Sequence, residues 1–207
     1  MGTSILRYFL SSLVLALMLL PSCSPTTKLA SVWKDDGFQN HPKKMMIIGE
    51  LKNPGNRRIF EDEMVKQLKA LRTDAVVSYA AIPERTGVDR DTITAKMNEL
   101  GADAVLIARV VDKKTVSTYV PGTVRPGYPG YGGGWHGYYA YSQSYTVQDE
   151  FAVLQTNLYD LKADKLIWTA VSETWITENN ESLIRSFTKV IIDRLVSDKM
   201  LATGAAK

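Results

Sequence analysis

The chain of 207 residues contains one cysteine, Cys23, which stands directly behind a greasy segment. No intramolecular disulfide can therefore staple the fold, and whatever follows must hold together by burying apolar surface. The preceding segment has a recognisable order. Arg7 gives a positive start, Phe9 to Leu20 an apolar stretch, and small residues sit before the cysteine, which is the layout of a secretory signal. A membrane-spanning helix needs about 20 continuous apolar residues, whereas this run is shorter and is broken by Ser11, Ser12 and Pro21. Without residues 1–22 the chain keeps an ordinary single-domain size and can bury roughly 70% of its unfolded surface.

Leu20-Pro21-Ser22-Cys23 resembles the lipobox of bacterial lipoprotein precursors, in which the cysteine receives a diacylglycerol and, after cleavage, becomes an acylated N-terminus. Pro21 departs from the small residue usual there. On this resemblance Cys23 is a lipidation site and the membrane is a partner. The competing account, a free thiol behind a plain secretory signal, leaves an unpaired, oxidisable sulfur in an exported protein. One acyl chain holds a protein only marginally, at about 0.8 kcal/mol per buried methylene, so stable anchoring calls for several chains on Cys23. Ser24, rather than Asp, after the cysteine implies by the same resemblance the outer membrane, with the domain facing the periplasm. Residues 23–27 form a tether of at most roughly 18 Å.

Charge narrows the class further. The formal net charge of +3 becomes +2 without Arg7, and acids and bases are mixed along the chain. That is too weak and too dispersed for a nucleic-acid protein.

Lys28 to Trp33 reads as an edge strand, and Lys43 to Leu51 as a strand covered on both faces, since Met45 to Ile48 form a continuous apolar run. Asn53 to Asn56 reads as a turn, with Asn56 capping a helix to Leu71. Ile59, Phe60, Met64, Leu68 and Leu71 share one face of that helix. Arg57 and Arg58 precede Glu61 and Asp62 by one turn, so intrahelical ion pairs at about 0.2 to 0.5 kcal/mol each account for all four. Asp74 to Tyr79 is a strand. A second helix follows, capped by Asp89 or Asp91, buried along Ile93, Met97 and Leu100, and stopped by Gly101.

Asp103-Ala104-Val105-Leu106 echoes Asp74 to Val77, suggesting two similar helix-to-strand units. The strand from Ala102 runs on to Val120. A return strand spans about Tyr141 to Tyr159, a tight turn covers Leu161 to Asp164, and Lys165 to Trp175 alternates with the period of a half-covered strand. Asn179 or Asn180 caps a last helix carrying Leu183, Phe187, Val190, Ile191 and Leu195. The expected fold is one α/β (α+β) sandwich over residues 28–202: a mixed sheet with a C-terminal antiparallel meander, three packed helices and a long Gly/Tyr-rich hairpin loop. Residues 203–207 form a frayed tail.

That loop, residues 121–140, departs from the rest in composition. Tyr119, Tyr128, Tyr131, Tyr138, Tyr139, Tyr141 and Tyr145 cluster around it, no acidic residue lies between Asp112 and Asp149, and Lys113, Lys114 and Arg125 make it basic. Tyrosine and tryptophan offer an apolar ring with a polar tip, suited to a membrane interface, a partner surface or a sugar face. A tip that stays without regular structure is the alternative, because Pro and Gly at this density oppose it. As a contact surface, its residues are Tyr128, Tyr131, Trp135, Tyr138 and Tyr139.

Catalytic chemistry finds little support. Gly132, Gly134 and Gly137 match the dinucleotide spacing without the strand-to-helix setting it requires. His41 and His136 lie in different loops without ligands at metal spacing, and neither is near a nucleophile elbow. Asp149 and Glu150, adjacent on a strand, point to opposite faces. The reading is therefore no enzyme, no cofactor and no metal.

The runs Asn56 to Asp62, Leu100 to Leu106 and Lys165 to Trp168, taken with the lipobox, resemble uncharacterised bacterial envelope lipoproteins classed only as domains of unknown function. More distantly, the layout is similar to the small α/β periplasmic modules of the Tol-Pal translocation protein and of lipoprotein activators of peptidoglycan synthases. The resemblance implies a non-enzymatic adaptor or assembly factor with an envelope protein as partner. A glycan- or small-ligand-binding lipoprotein is the second expectation, and an envelope hydrolase the third.

Overall fold

A computed structural model describes residues 26–82, 90–121, 124–125, 140–141, 144–177 and 179–201. Residues 1–25, Cys23 among them, and most of the 121–140 loop lie outside them. The elements are β1 (Thr27–Lys34), β2 (Lys44–Glu50), α1 (Pro54–Ala70), β3 (Asp74–Val77), α2 (Arg90–Leu100), β4 (Ala104–Val120), β5 (Val124–Arg125), β6 (Ala140–Tyr141), β7 (Tyr145–Asp160), β8 (Lys165–Trp175) and α3 (Asn180–Ser197). The six long strands form one mixed sheet in the order β1-β8-β7-β4-β2-β3, and β5 pairs only with β6. The fold is thus the expected α+β arrangement, with β4, β7 and β8 as its antiparallel meander.

The echo between the two Asp-Ala segments has a structural meaning. Strand β2 pairs in parallel with β3 on one side and β4 on the other, and Met45 stands opposite both Ala75 and Ala104. All three are fully buried. Small side chains flank a large one there, which lets the layer fill without voids. Asp103 fixes the entry of β2, accepting hydrogen bonds from Lys43 N at 3.0 Å and Lys44 N at 3.0 Å.

Helices α1 and α3 cover one face of the sheet, with Phe60, Met64, Leu68, Phe187, Ile191 and Leu195 buried against Leu106, Leu158 and Trp168. Helix α2 lies on the opposite face, where Met97 packs with Met46, Ile48 and Val105. It covers only the β3-β2-β4 side. Trp168 is fully buried, and its indole N–H donates to Asp198 Oδ2 at 2.8 Å, which also accepts from Arg194 Nε at 2.8 Å.

Two local expectations change. Helix α1 begins at Pro54 and its cap is Asn53, not Asn56: Asn53 Oδ1 accepts from Gly55 N at 2.8 Å and Asn56 N at 3.2 Å. Proline at the first helical position lacks an N–H that would be unsatisfied there anyway. The return strand β7 begins at Tyr145, because Tyr141 belongs to the separate β6. Helix α3 starts after Asn179, whose side chain accepts from Ser182 N at 3.0 Å. Gly101, at φ +66°, ends α2 as its sequence position implied.

Candidate functional site

Two regions stand out: a buried polar cluster under α1, and the outer half of the β4–β7 hairpin. The expected surface pairs on α1 resolve differently from the sequence reading. Arg57 Nε does bond Glu61 Oε1 at 2.8 Å, but both side chains are buried. Glu61 also accepts from Gly49 N, Ser78 N, Ser78 Oγ and Tyr79 N, while Arg57 Nη2 donates to Ser78 Oγ and Ile82 O. Every oxygen of the carboxylate is occupied. The cluster ties the ends of β2 and β3 to α1, and Gly49 permits it, since a Cβ there would stand 2.9 Å from the Phe60 ring. With its partners consumed inside the protein, the cluster reads as a structural tie rather than a reacting centre. Arg58 and Asp62 do not pair with each other: Arg58 lies over the Tyr79 ring and Asp62 accepts from Tyr79 Oη at 2.8 Å. That bond and partial burial raise the Tyr79 phenol above its usual range.

The hairpin is where the sheet outgrows its core. Pairing of β2 with β4 stops at Glu50 opposite Arg109, and pairing of β8 with β7 stops at Trp175 opposite Phe151. Beyond those points, Thr115 to Val120 pair only with Tyr145 to Glu150. This six-residue ribbon projects roughly 20 Å at about 3.4 Å per residue. Every residue from Arg109 to Tyr119 is exposed, so the ribbon has no core of its own.

Register sorts the arm into two chemical faces. Val116, Thr118, Val120, Tyr145, Val147 and Asp149 fall on one, and Thr115, Ser117, Tyr119, Thr146, Gln148 and Glu150 on the other. The first continues the sheet face that α2 leaves uncovered. On that face Phe151 and Trp175 are cross-strand partners, with Trp175 44% and Trp33 51% exposed. Lys114 reaches Glu173 across it at 3.1 Å.

At the root of the arm, on the α1/α3 side, lies an apolar cavity of about 240 Å3. Its walls include Phe60, Ala152, Leu154, Ile184 and Phe187, with Lys113 at the strand side.

Tyr119 and Tyr145, named with the aromatic cluster, flank the tip at 65% and 61% exposure. Tyr128, Tyr131, Trp135, Tyr138 and Tyr139 lie outside the described residues, as do Cys23 and His136. Sequence reasoning paired Arg57 with Glu61 but missed their burial, and it missed the cavity. Among the described residues no helix is long and apolar enough to cross a membrane, and no group of three His, Cys, Asp or Glu could hold a metal.

No protein-family model matches the chain, and no curated protein matches it. Among solved structures it is similar to a PelC dodecamer from Paraburkholderia phytofirmans, at 12% identity over 82% of this chain and 96% of that one, with a TM-score of 0.46. It is also similar to lipoprotein GNA1162 from Neisseria meningitidis, at 11% identity over 75% of this chain and 99% of that one, with a TM-score of 0.41.

Proposed function

We propose that this chain is a non-enzymatic, lipid-anchored lipoprotein of the outer membrane whose periplasmic domain acts as an adaptor, presenting the β4–β7 arm to an envelope partner. The observation that carries the reading is the arm. A two-stranded ribbon without a core is marginal in water, and this one exposes Val116, Tyr119, Tyr145 and Val147. Apolar and aromatic side chains on a projecting element add little to the domain's own stability, and they are the residue types that bury well in an interface. The lipobox at Cys23 supplies the anchor in this account.

The test joins anchor and arm. A photo-crosslinking residue at Tyr145, installed in cells, is expected to give a discrete protein adduct that disappears when residues 121–144 are replaced by a tight turn. The N-terminal peptide of the same material is expected to start at an acylated Cys23 by mass spectrometry. An adduct pattern unchanged by the replacement removes the arm from the account, and an unmodified Cys23 removes the anchor. The apolar cavity at the root of the arm favours a second reading, a small-ligand-binding lipoprotein.

A further inference from the structure

We infer that this cavity binds one acyl chain of a membrane-derived anionic amphiphile, with Lys113 holding its head group. The inference rests on the lipid-anchored reading, because the ligand comes from the bilayer that the anchor brings close.

Size limits the ligand first. A volume of about 240 Å3 falls just below the roughly 300 to 1,000 Å3 of pockets for drug-sized molecules. It suits one end of a single long chain and is too small for a two-chain lipid. Leu51, Val110, Leu154, Leu183 and Phe187 give it apolar walls, and among its lining residues only Asn56, Lys113 and Asn180 have polar side chains.

Those three share one electrostatic sense. Asn56 lies in the first turn of α1 and Asn180 opens α3, so two helix N-termini flank the cavity with their positive ends. Lys113 adds a full charge. Its ammonium has no carboxylate partner among the described residues, whereas neighbouring Lys114 is paired with Glu173.

Lys113 reaches the cavity because of a fault in the strand. The register of β4 against β7 jumps between Val110, opposite Leu154, and Asp112, opposite Val153. In an unbroken strand Val110 and Lys113, three apart, would point to opposite faces. The extra residue puts both on the cavity side, and re-aiming a side chain at a site is a recurrent use of such bulges.

The N-terminus sets the cavity beside the membrane. Thr26 N donates to Ser186 Oγ at 3.2 Å, and Thr26 O accepts from Trp175 N at 2.9 Å. Ile176, next in the chain to Trp175, is part of the cavity wall. Cys23 lies three residues before Thr26, and so within roughly 11 Å of it whatever path the chain takes.

The experiment uses the full chain in vesicles of phosphatidylethanolamine and phosphatidylglycerol, with a diazirine-bearing long-chain fatty acid as probe. Photolysis is expected to label peptides carrying Ala152, Ile184 or Phe187. Lys113→Glu, an exposed change without risk to the fold, should reduce that labelling by about tenfold or more, as for loss of one charge-assisted contact. Ala152→Trp should abolish it by filling the space. Labelling of these peptides that is indifferent to both variants, or its absence beside a labelled membrane tether, overturns the inference. Cavity labelling that emerges only in Cys23→Ser also overturns it, because the anchor's own chain would then be the occupant. Mass analysis of the N-terminal peptide separates the two claims: cavity labelling with an unmodified Cys23 sinks the anchor and keeps the site, whereas an acylated Cys23 with an unlabelled cavity does the reverse.

Discussion

Strands β4 and β7 run through two environments with one continuous ladder. In the body, Ala104 to Ala108 pair with Thr156 to Asp160, and Ala104, Leu106, Ala108, Thr156 and Leu158 are all but excluded from solvent. In the arm, Thr115 to Val120 pair with Tyr145 to Glu150, and among the described residues Tyr119 and Tyr145 are the most exposed of the large apolar side chains. Backbone pairing is alike in both halves, while burial is not. The difference teaches that strand length here is not set by what the core can use. The body carries the stability, and the arm depends on it.

The contrast breaks most sharply at the buried end. Replacing Glu61 by Ala leaves the Arg57 guanidinium without its carboxylate and the N–H groups of Gly49, Ser78 and Tyr79 without an acceptor. A loss of about 3 to 5 kcal/mol is expected, read as a lower urea midpoint at unchanged slope. A loss under about 1 kcal/mol would mean that water replaces the carboxylate, and that the body is less dry than described.

A smaller effect is expected at Asp198, where sign and pH both matter. Burial opposes its charge, but the hydrogen bonds from Arg194 and Trp168 and the nearby charges of Arg194 and Lys34 outweigh it, holding the carboxyl below its ordinary 3.8. A depressed folded value contributes stability that is present above the unfolded value and fades as pH falls through the folded one. Asp198→Asn should therefore cost about 1 kcal/mol near neutrality, and the gap from the parent should close below about pH 4. A gap that stays constant down to acid pH would show that the indole contact, not the charge, supplies it.

The smallest change belongs to the arm. Val116→Ser combined with Val147→Ser should move the thermal transition by no more than the equivalent of about 0.5 kcal/mol, while lowering partner crosslinking from Tyr145 on the same face. A drop well above 1 kcal/mol would join the arm to the cooperative core and erase the comparison.

Much of this fold was legible in the sequence for a physical reason. Strand β8 was read to its boundaries from Leu166, Trp168 and Ala170 set against Lys165 and Thr169, although Ile167 is also fully buried and the register slips there, so that Leu166 and Trp168 face opposite sides. Strand β2 was read because Met45 to Ile48 must be covered on both sides. The start of α1 was misplaced because Asn-Pro-Gly serves equally as a turn and as a cap, and only the helix that follows decides. The polar cluster was missed because an Arg and a Glu one turn apart look the same on a wet face and a dry one. A signal was present: Arg57 and Glu61 share the helical face of Phe60, Met64 and Leu68, all five of which are buried. The cavity left no trace in any single segment, since its walls come from two strands, two helices and the residues that follow two further strands.

The added residue at Val111 also decides what the outer ribbon can do. With even spacing throughout, Val116 would stand opposite Gln148, and Val147 would turn to the other face, beside Tyr119 and Tyr145. The offset instead gathers both valines with Val120 and Tyr145 on one flank, and leaves Tyr119 on the reverse among Thr115, Ser117, Thr146 and Gln148. A one-position slip in the middle of a strand thereby decides which side chains of the blade become neighbours, trading a tyrosine pair across the strands for a flank that both valines share.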